Sequence, residues 1–404
     1  MTVRAAALIT WLALSGAVAA AETITLAVWT SQPAEEAALD RTIAAFTRAT
    51  GIVVKKESIG DKYMDVLRSR FAARNTPDVF YLDSAEAPLL IGSDVLEPFD
   101  SRIDDAQDFY PQFLDAFRGE NRKIYGLPKD YSTLALYVNT RLLARAGFKP
   151  SDVPTDHAEL MAFARRLQPR LPKGSAALIY EKDLARHMSA LEAFGDPVIT
   201  SDGWARLSGN AGALAYLDGF VRGRKEGYLF SPKDDLGADS PAAAFGSGRA
   251  AMMMEGNWVL SALHKDYPDV PFATLEMPRV NGRRHTMAFV VGLSVSRYSK
   301  NKAGGFKFAQ FMTQAGMKDW SQQSGTLPTR KSVQAALGTG ADPALAAHAA
   351  GAAYATVWSR GTSLPIVNSN FGNQFLAALN GSKPLLDALR RAEQTSNREI
   401  ERQK

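Results

Sequence analysis

Apolar and polar residues alternate with a period of two over Ile24-Thr25-Leu26-Ala27-Val28-Trp29, then recur at helical spacing at Ala38, Ile43 and Phe46 before Gly51. The first pattern predicts a strand and the second a helix. Ile52 to Glu57 reads as a second strand, and Asp61 is placed to cap a helix carrying Tyr63, Met64, Leu67 and Phe71. Pro77 leads into a third strand, Asp78-Val79-Phe80-Tyr81-Leu82-Asp83. The whole predicts a βαβαβ unit around a parallel sheet. Such sheets bind ligands beyond the carboxyl ends of their strands, and those ends carry Trp29, Thr30, Ser31 and Asp83.

Two strand-like runs then flank a short polar segment in Tyr125-Gly126-Leu127-Pro128-Lys129-Asp130-Tyr131-Ser132-Thr133-Leu134-Ala135-Leu136-Tyr137-Val138-Asn139. A carboxylate and an aromatic in such a segment suit a crossing between two lobes beside a ligand site. Helices follow: Asp156 with Glu159 forms a capping-box pattern for one reaching about Pro169, and Lys182 to Phe194 and Ala211 to Lys225 read as two more. In Ala250-Ala251-Met252-Met253-Met254-Glu255-Gly256-Asn257-Trp258 a strand ends in a Gly-Asn turn, and Trp258 opens a helix to about Leu263. The Met triplet is core filler, since three consecutive strand residues cannot all face one way. Val290 to Ser296 is a further strand, followed by helices Lys302 to Thr313 and Gly316 to Gln323 and the turn Gly325-Thr326-Leu327-Pro328. A last helical region, Pro343 to Arg391, is broken at Gly361-Thr362-Ser363-Leu364-Pro365. No repeat and no low-complexity linker separates these parts, so lobes joined by several strand crossings are expected.

Composition narrows where the molecule works. Arg4 is the only charge before Glu22, an Ala/Leu-rich run follows it, and Ala17-Val18-Ala19-Ala20-Ala21 closes with small residues. Residues 1–21 therefore read as a secretory leader, cleaved after Ala19 or Ala21, rather than a membrane helix. The chain has no cysteine, hence no disulfide, no thiolate metal site and no lipid-bearing cysteine, and a free periplasmic protein is expected. Removing 21 of 404 residues leaves 383, enough for about two domains. The net charge of +5 falls to +4 without Arg4. The basic residues sit among acids without interleaved aromatics, a solvated surface rather than a nucleic-acid groove.

Motifs for catalysis are missing. The sequence has no G-x-S-x-G elbow, H-E-x-x-H, P-loop or G-x-G-x-x-G, and His157, His187, His264, His285 and His348 lack ligand spacing. No cofactor or metal is expected. Asp83, Asp130 and Glu255 could supply the paired carboxylates of a glycosidase, but nothing in the sequence requires it. Trp29 and Trp258 suit core packing as well as a pocket, and Asp83 could instead cap the helix that follows it.

Four segments, in order and over nearly the whole mature chain, resemble the extracellular solute-binding proteins of ABC importers, in the cluster of maltose-, trehalose- and other sugar-binding proteins. They are Ile24 to Trp29 with Phe46-Thr47-Arg48-Ala49-Thr50-Gly51-Ile52; Thr76-Pro77 through Asp83; Tyr125 through Asn139; and Met252 through Trp258. The resemblance implies an α/β, two-lobed periplasmic-binding-protein fold. Each lobe would be a mostly parallel sheet flanked by helices, with crossings near Tyr131, His285 and Pro328. The lobes would comprise 22–131 plus 285–328 and 132–284 plus 329–404.

By the same resemblance, Asp83 and Glu35 bind sugar hydroxyls from one lobe and Trp258 stacks on the sugar from the other. Asp130 and Tyr131 match the crossing, and Arg360 falls where some relatives bind from the last helical region. Trp29, Asn257 and Phe289 complete the implied ligand-binding set. The implied activity is capture of a mono-, di- or oligosaccharide by a monomer that delivers it to membrane permease subunits. A polyamine or sugar phosphate in the same fold is the alternative, with Arg360 or Lys129 pairing the phosphate, and a glycoside-acting enzyme a more distant one.

Overall fold

The structure, a computed structural model, describes residues 21–403 apart from Gln32 and Asp61. Residues 1–20 of the expected leader, and the cap expected at Asp61, lie outside the described residues. The predicted elements form. Strands Thr23–Trp29, Val53–Ile59 and Val79–Asp83 alternate with helices Pro33–Thr50 and Tyr63–Ala72. Val79 to Leu82 are all buried, as a strand covered on both faces requires. Asp156 caps helix His157–Leu167, its carboxylate accepting from the N–H groups of Ala158 and Glu159 at 2.8 and 3.3 Å.

The strands join one ordered ribbon: Val53–Ile59, Thr23–Trp29, Val79–Asp83, Met287–Ser296, Leu127–Asn139, Met252–Gly256, Leu178–Ile179, Leu229–Phe230. The first three pair parallel, as predicted. Met287–Ser296 and Leu127–Asn139 run antiparallel to each other and to their neighbours. The sheet is therefore mixed rather than mostly parallel, because these two long strands must pass between the halves in opposite directions.

Two large apolar cores hang on this ribbon. One gathers Ile24, Leu26, Phe46, Phe80, Phe113, Tyr131, Ala288, Val290 and Trp320; the other gathers Leu134, Leu136, Leu160, Phe220, Met287, Phe371 and Leu389. Membership changes between Tyr131 and Leu134 on one crossing strand and between Met287 and Ala288 on the other. Residues 331–352, expected with the second half, divide their contacts. Ala349 and Ala352 enter the first core, Val333 packs on a small cluster around Phe109, and Ala344 and Leu345 lie against a third cluster around Phe245. His348 anchors this stretch at the crossing: its Nδ1–H donates to the Thr133 carbonyl at 2.8 Å and its Nε2 accepts from the Tyr137 hydroxyl at 2.7 Å.

No helix among the described residues is long and apolar enough to cross a membrane.

Candidate ligand-binding site

Burial along the crossing strands locates a cleft floor. In Leu127–Asn139 every residue is buried except Ser132, and in Met287–Ser296 only Phe289 and Val291 are not. Ser132 and Phe289 are register partners. Val291 pairs with Asp130 on one side and Asp83 on the other. One row across three strands thus carries two carboxylates, roughly 10 Å apart at two strand spacings, with an aromatic and a hydroxyl beside them.

A bulge shapes the row. Val291 pairs with Asp130 and Gly292 with Pro128, so Lys129 has no partner in the ladder. An extra residue re-aims the local side chains, and the adjacent Lys129 and Asp130 meet as an ion pair instead of pointing apart. Trp320 Nε1 donates to the same Asp130 carboxylate at 2.8 Å, and Lys129 Nζ lies 4.1 Å from the Trp320 ring and 4.4 Å from the Tyr81 ring. Trp29, half-buried, stands edge-on to Tyr63 at 5.5 Å and to Tyr81 at 5.1 Å, which links it to this cluster. Glu35, in the first turn of Pro33–Thr50, is raised in pKa by burial, with Lys129 opposing and Asp130 reinforcing the shift.

Asp83 ends its strand half-buried, and Ala85 N–H donates to its Oδ1 at 2.8 Å. It therefore closes a local turn, and it has no further protein partner among the described residues. Burial, with smaller contributions from Glu86 and Asp130, pushes its pKa up to about 7.

The opposite wall is aromatic. Trp258 stands edge-on to Phe289 at 5.3 Å and 78°, and Phe289 leans on Trp358 at 6.3 Å. A Cβ on Gly256 would lie 2.0 Å from the Trp258 ring, so glycine is what lets the indole fold back over the strand end. The Arg186 guanidinium sits 5.3 Å from the same ring and donates to Glu255 at 2.9 and 3.1 Å and to Asp183 at 3.2 Å. Beside it, burial pushes Glu181 up to about 7. Trp358 is held by its N–H on the Ala288 carbonyl at 2.8 Å, and its own carbonyl accepts from Ser84 Oγ at 3.1 Å.

Asp83, Asp130, Phe289 and Trp258 thus gather around the crossing, with Glu35 and Trp29 on the first wall. Three expected ligand contacts do not join them. Tyr131 is fully buried, its ring tilted 37° against Phe113 at 4.5 Å and its hydroxyl donating to Gln334 Oε1 at 2.8 Å, because it faces away from Asp130 on the strand. Asn257 is buried and bridges two crossings, accepting from Thr133 N–H at 3.2 Å and donating to the Gly325 carbonyl at 3.4 Å. Arg360 is paired with Glu192 at 3.1 and 2.5 Å. Sequence reasoning missed Ser132, Arg186, Glu181 and Trp358 as candidates. Strand parity counted from Asp130 could have found Ser132; Trp358 has no such signal.

A family model described as a bacterial extracellular solute-binding protein matches residues 41–348. The chain belongs to this family. Among relatives, a candidate binding protein of Brucella abortus (strain 2308) is 24% identical over 248 residues, covering 59% of this chain and 58% of its own length. The solute-binding protein here thus matches little more than half of that relative. An ABC substrate-binding protein of Listeria monocytogenes in complex with cycloalternan superposes with a TM-score of 0.82 at 20% identity, over 94% of this chain and 99% of its own. The sugar-binding protein MalE of Xanthomonas citri gives 0.81 at 20% identity, over 94% and 98%. A solute-binding protein of Thermotoga lettingae bound with α-D-tagatose gives 0.80 at 19%, over 93% and 99%. The two-lobed fold is shared, and the two cores are its lobes.

In this solute-binding protein four of the five histidines, His157, His187, His285 and His348, are buried. Burial lowers His157 to about 3 and His187, His285 and His348 to about 4. All four are therefore neutral near pH 7, and His187, His285 and His348 have backbone or hydroxyl partners. Among the described residues no group of three His, Asp or Glu side chains could hold a metal ion.

Proposed function

We propose that this protein captures a carbohydrate between its lobes and presents it to an ABC import permease from the periplasmic side. The observation that carries the reading is the half-exposed trio Trp258, Phe289 and Trp358 set against Ser132, Asp83 and the Lys129–Asp130 pair. A sugar offers flat C–H faces to aromatic rings and a rim of hydroxyls to fixed donors and acceptors in a concave site. Structural neighbours described with cycloalternan and with tagatose support that class. The division of cores supports a first lobe of 22–131 and 288–352 and a second of 134–287 and 364–403, which close on the ligand by shifting a pre-existing equilibrium. Of the three carboxylates that hydrolysis could recruit, Asp130 is engaged by Lys129 and Trp320, and Glu255 by Arg186. That supports a binder over an enzyme.

A thermal-shift panel of mono-, di- and oligosaccharides, spermidine and glucose 6-phosphate tests this. A ligand at a hundred times its dissociation constant adds about 2.7 kcal/mol of stability. A saccharide hit, with compaction of the protein in solution scattering, is the expected outcome. A response to spermidine alone would overturn the ligand class, and turnover of a glycoside would overturn the binder.

A further inference from the structure

A cavity of about 650 Å³ lies within the second lobe, between helices His157–Leu167 and Ala211–Lys225 and the turn at residues 279–281. None of its lining residues belongs to the cleft. Pockets for drug-sized ligands measure roughly 300–1,000 Å³, and Met161, Phe194, Tyr216 and Val280 give this one largely apolar walls. Helix Ala211–Lys225 keeps it open: Phe194 lies on Gly212, where a Cβ would meet the ring at 2.3 Å, and a Cβ on Gly219 would find nothing nearer than His157 Nε2 and Met161 Cγ, both at 3.8 Å.

His157 sets this cavity apart from the packed interior beside it. His187, His285 and His348 each have both ring nitrogens bonded. His157 is only 8% exposed and lines the cavity, yet among the described residues neither of its ring nitrogens has a partner. Its ring is fixed between Tyr216 at 4.4 Å and Phe220 at 5.4 Å, and its backbone N–H donates to the Arg279 carbonyl at 2.9 Å. Buried polar groups are normally satisfied. A neutral imidazole offers one N–H and one lone pair, so a hydroxyl, which donates and accepts, fits it in either tautomer.

The rim is cationic. Arg165 is paired with Glu226 at 3.0 Å and Arg222 with Asp218 at 2.7 Å, whereas Arg166 and Arg279 have no carboxylate partner among the described residues. Asp156, the other acid there, is occupied in capping its helix. We infer that the second lobe carries a separate site for a small hydroxylated aromatic carboxylic acid. Its ring lies among Met161, Phe194 and Val280, its hydroxyl meets His157, and its carboxylate stays at the rim with Arg166 and Arg279.

Calorimetry on the full mature chain with 4-hydroxycinnamate, cinnamate and 4-hydroxycinnamamide, without saccharide, tests this. 4-Hydroxycinnamate should bind, and the amide and cinnamate should each bind about tenfold more weakly, the scale of one lost polar contact. His157→Phe keeps the stack on Phe220 and removes both nitrogens. It should erase the preference for 4-hydroxycinnamate over cinnamate and leave cinnamate within about twofold of wild type, whereas a purely structural histidine would change melting alone. Gly219→Leu fills the space beside Nε2 and should abolish binding of both acids. No heat from millimolar 4-hydroxycinnamate, an amide that binds as well as the acid, a hydroxyl preference that survives His157→Phe, or binding that survives Gly219→Leu overturns the site. Loss of binding in Trp258→Ala would place the acid in the cleft and overturn it as well.

Discussion

One wall of the cleft, around Lys129 and Asp130, is charged and already paired; the other, around Trp258, is aromatic, with Phe289 edge-on to the indole and tilted against Trp358. Lys129, Asp130 and Trp320 form a buried unit with no exposed member, whereas Trp258, Phe289 and Trp358 are each partly exposed. The first wall is fixed before any ligand arrives, because a buried charge without its partner is costly. The second wall keeps apolar area open. On the proposed carbohydrate reading, lobe closure covers that area with ligand, and the buried pair holds the floor from which Ser132 and Asp83 meet its hydroxyls. The two contributions can be separated by substitution.

The largest effect should come from breaking the polar wall. Lys129→Met leaves Asp130 as an uncompensated carboxylate at 4% exposure, and such truncations of buried pairs cost about 3–5 kcal/mol. Denaturant unfolding without ligand should show this loss. A loss below about 1 kcal/mol, the range of exposed pairs, would mean that water reaches the pair and the wall is not preformed.

Breaking the aromatic wall should act on ligand instead. Trp258→Ala should weaken sugar binding by at least ~1 kcal/mol in calorimetry, the scale of a lost aromatic platform. Gly256→Ala sharpens the point without removing the ring. Its new Cβ would meet the indole at 2.0 Å, so the ring must move and affinity should fall in the same direction. Unchanged affinity in both variants would remove Trp258 from the site.

Asp83 joins the two walls, and its pKa predicts a pH signature. The unfolded carboxyl titrates near 3.8 and the folded one near 7, so between these values the folded state binds more protons than the unfolded one. Stability then falls as pH rises through that window and is level above it. Discounted for solvent at a half-buried group, the change is about 1 kcal/mol. Asp83→Asn should flatten this part of the stability–pH curve, with Glu35 and Glu181 accounting for the slope that remains. An identical slope in wild type and variant would place Asp83 in ordinary solvent.

The features legible in the sequence were those set by local rules. Alternation located the strands, and the rule that ligands sit at carboxyl strand ends singled out Asp83 and the turn before Trp258. Tyr131 points into the core by the plain two-residue period, which runs unbroken after the bulge at Lys129 and puts Asp130 and Ser132 on the cleft face; weighing the polarity of the segment above that period is what misplaces it. Arg360 and Asn257 looked free because their partners, Glu192 and the Gly325 carbonyl, are far away in the chain. Trp358 follows a strand of only two residues, Thr356–Val357, too short for any periodicity to register.

Tyr131 also supplies the smallest and cleanest control on the two-wall comparison. Its hydroxyl donates to Gln334 Oε1, which accepts a second bond from Tyr110 at 3.2 Å. Tyr131→Phe thus removes one hydrogen bond without orphaning the acceptor, and its cost to stability should stay below about 1 kcal/mol. Sugar affinity should not change, since the ring and its contact with Phe113 are kept and neither wall is touched. A loss of affinity in calorimetry, at unchanged stability, would mean that Tyr131 reaches the ligand after lobe closure, and the cleft floor would then have to include both faces of the crossing strand.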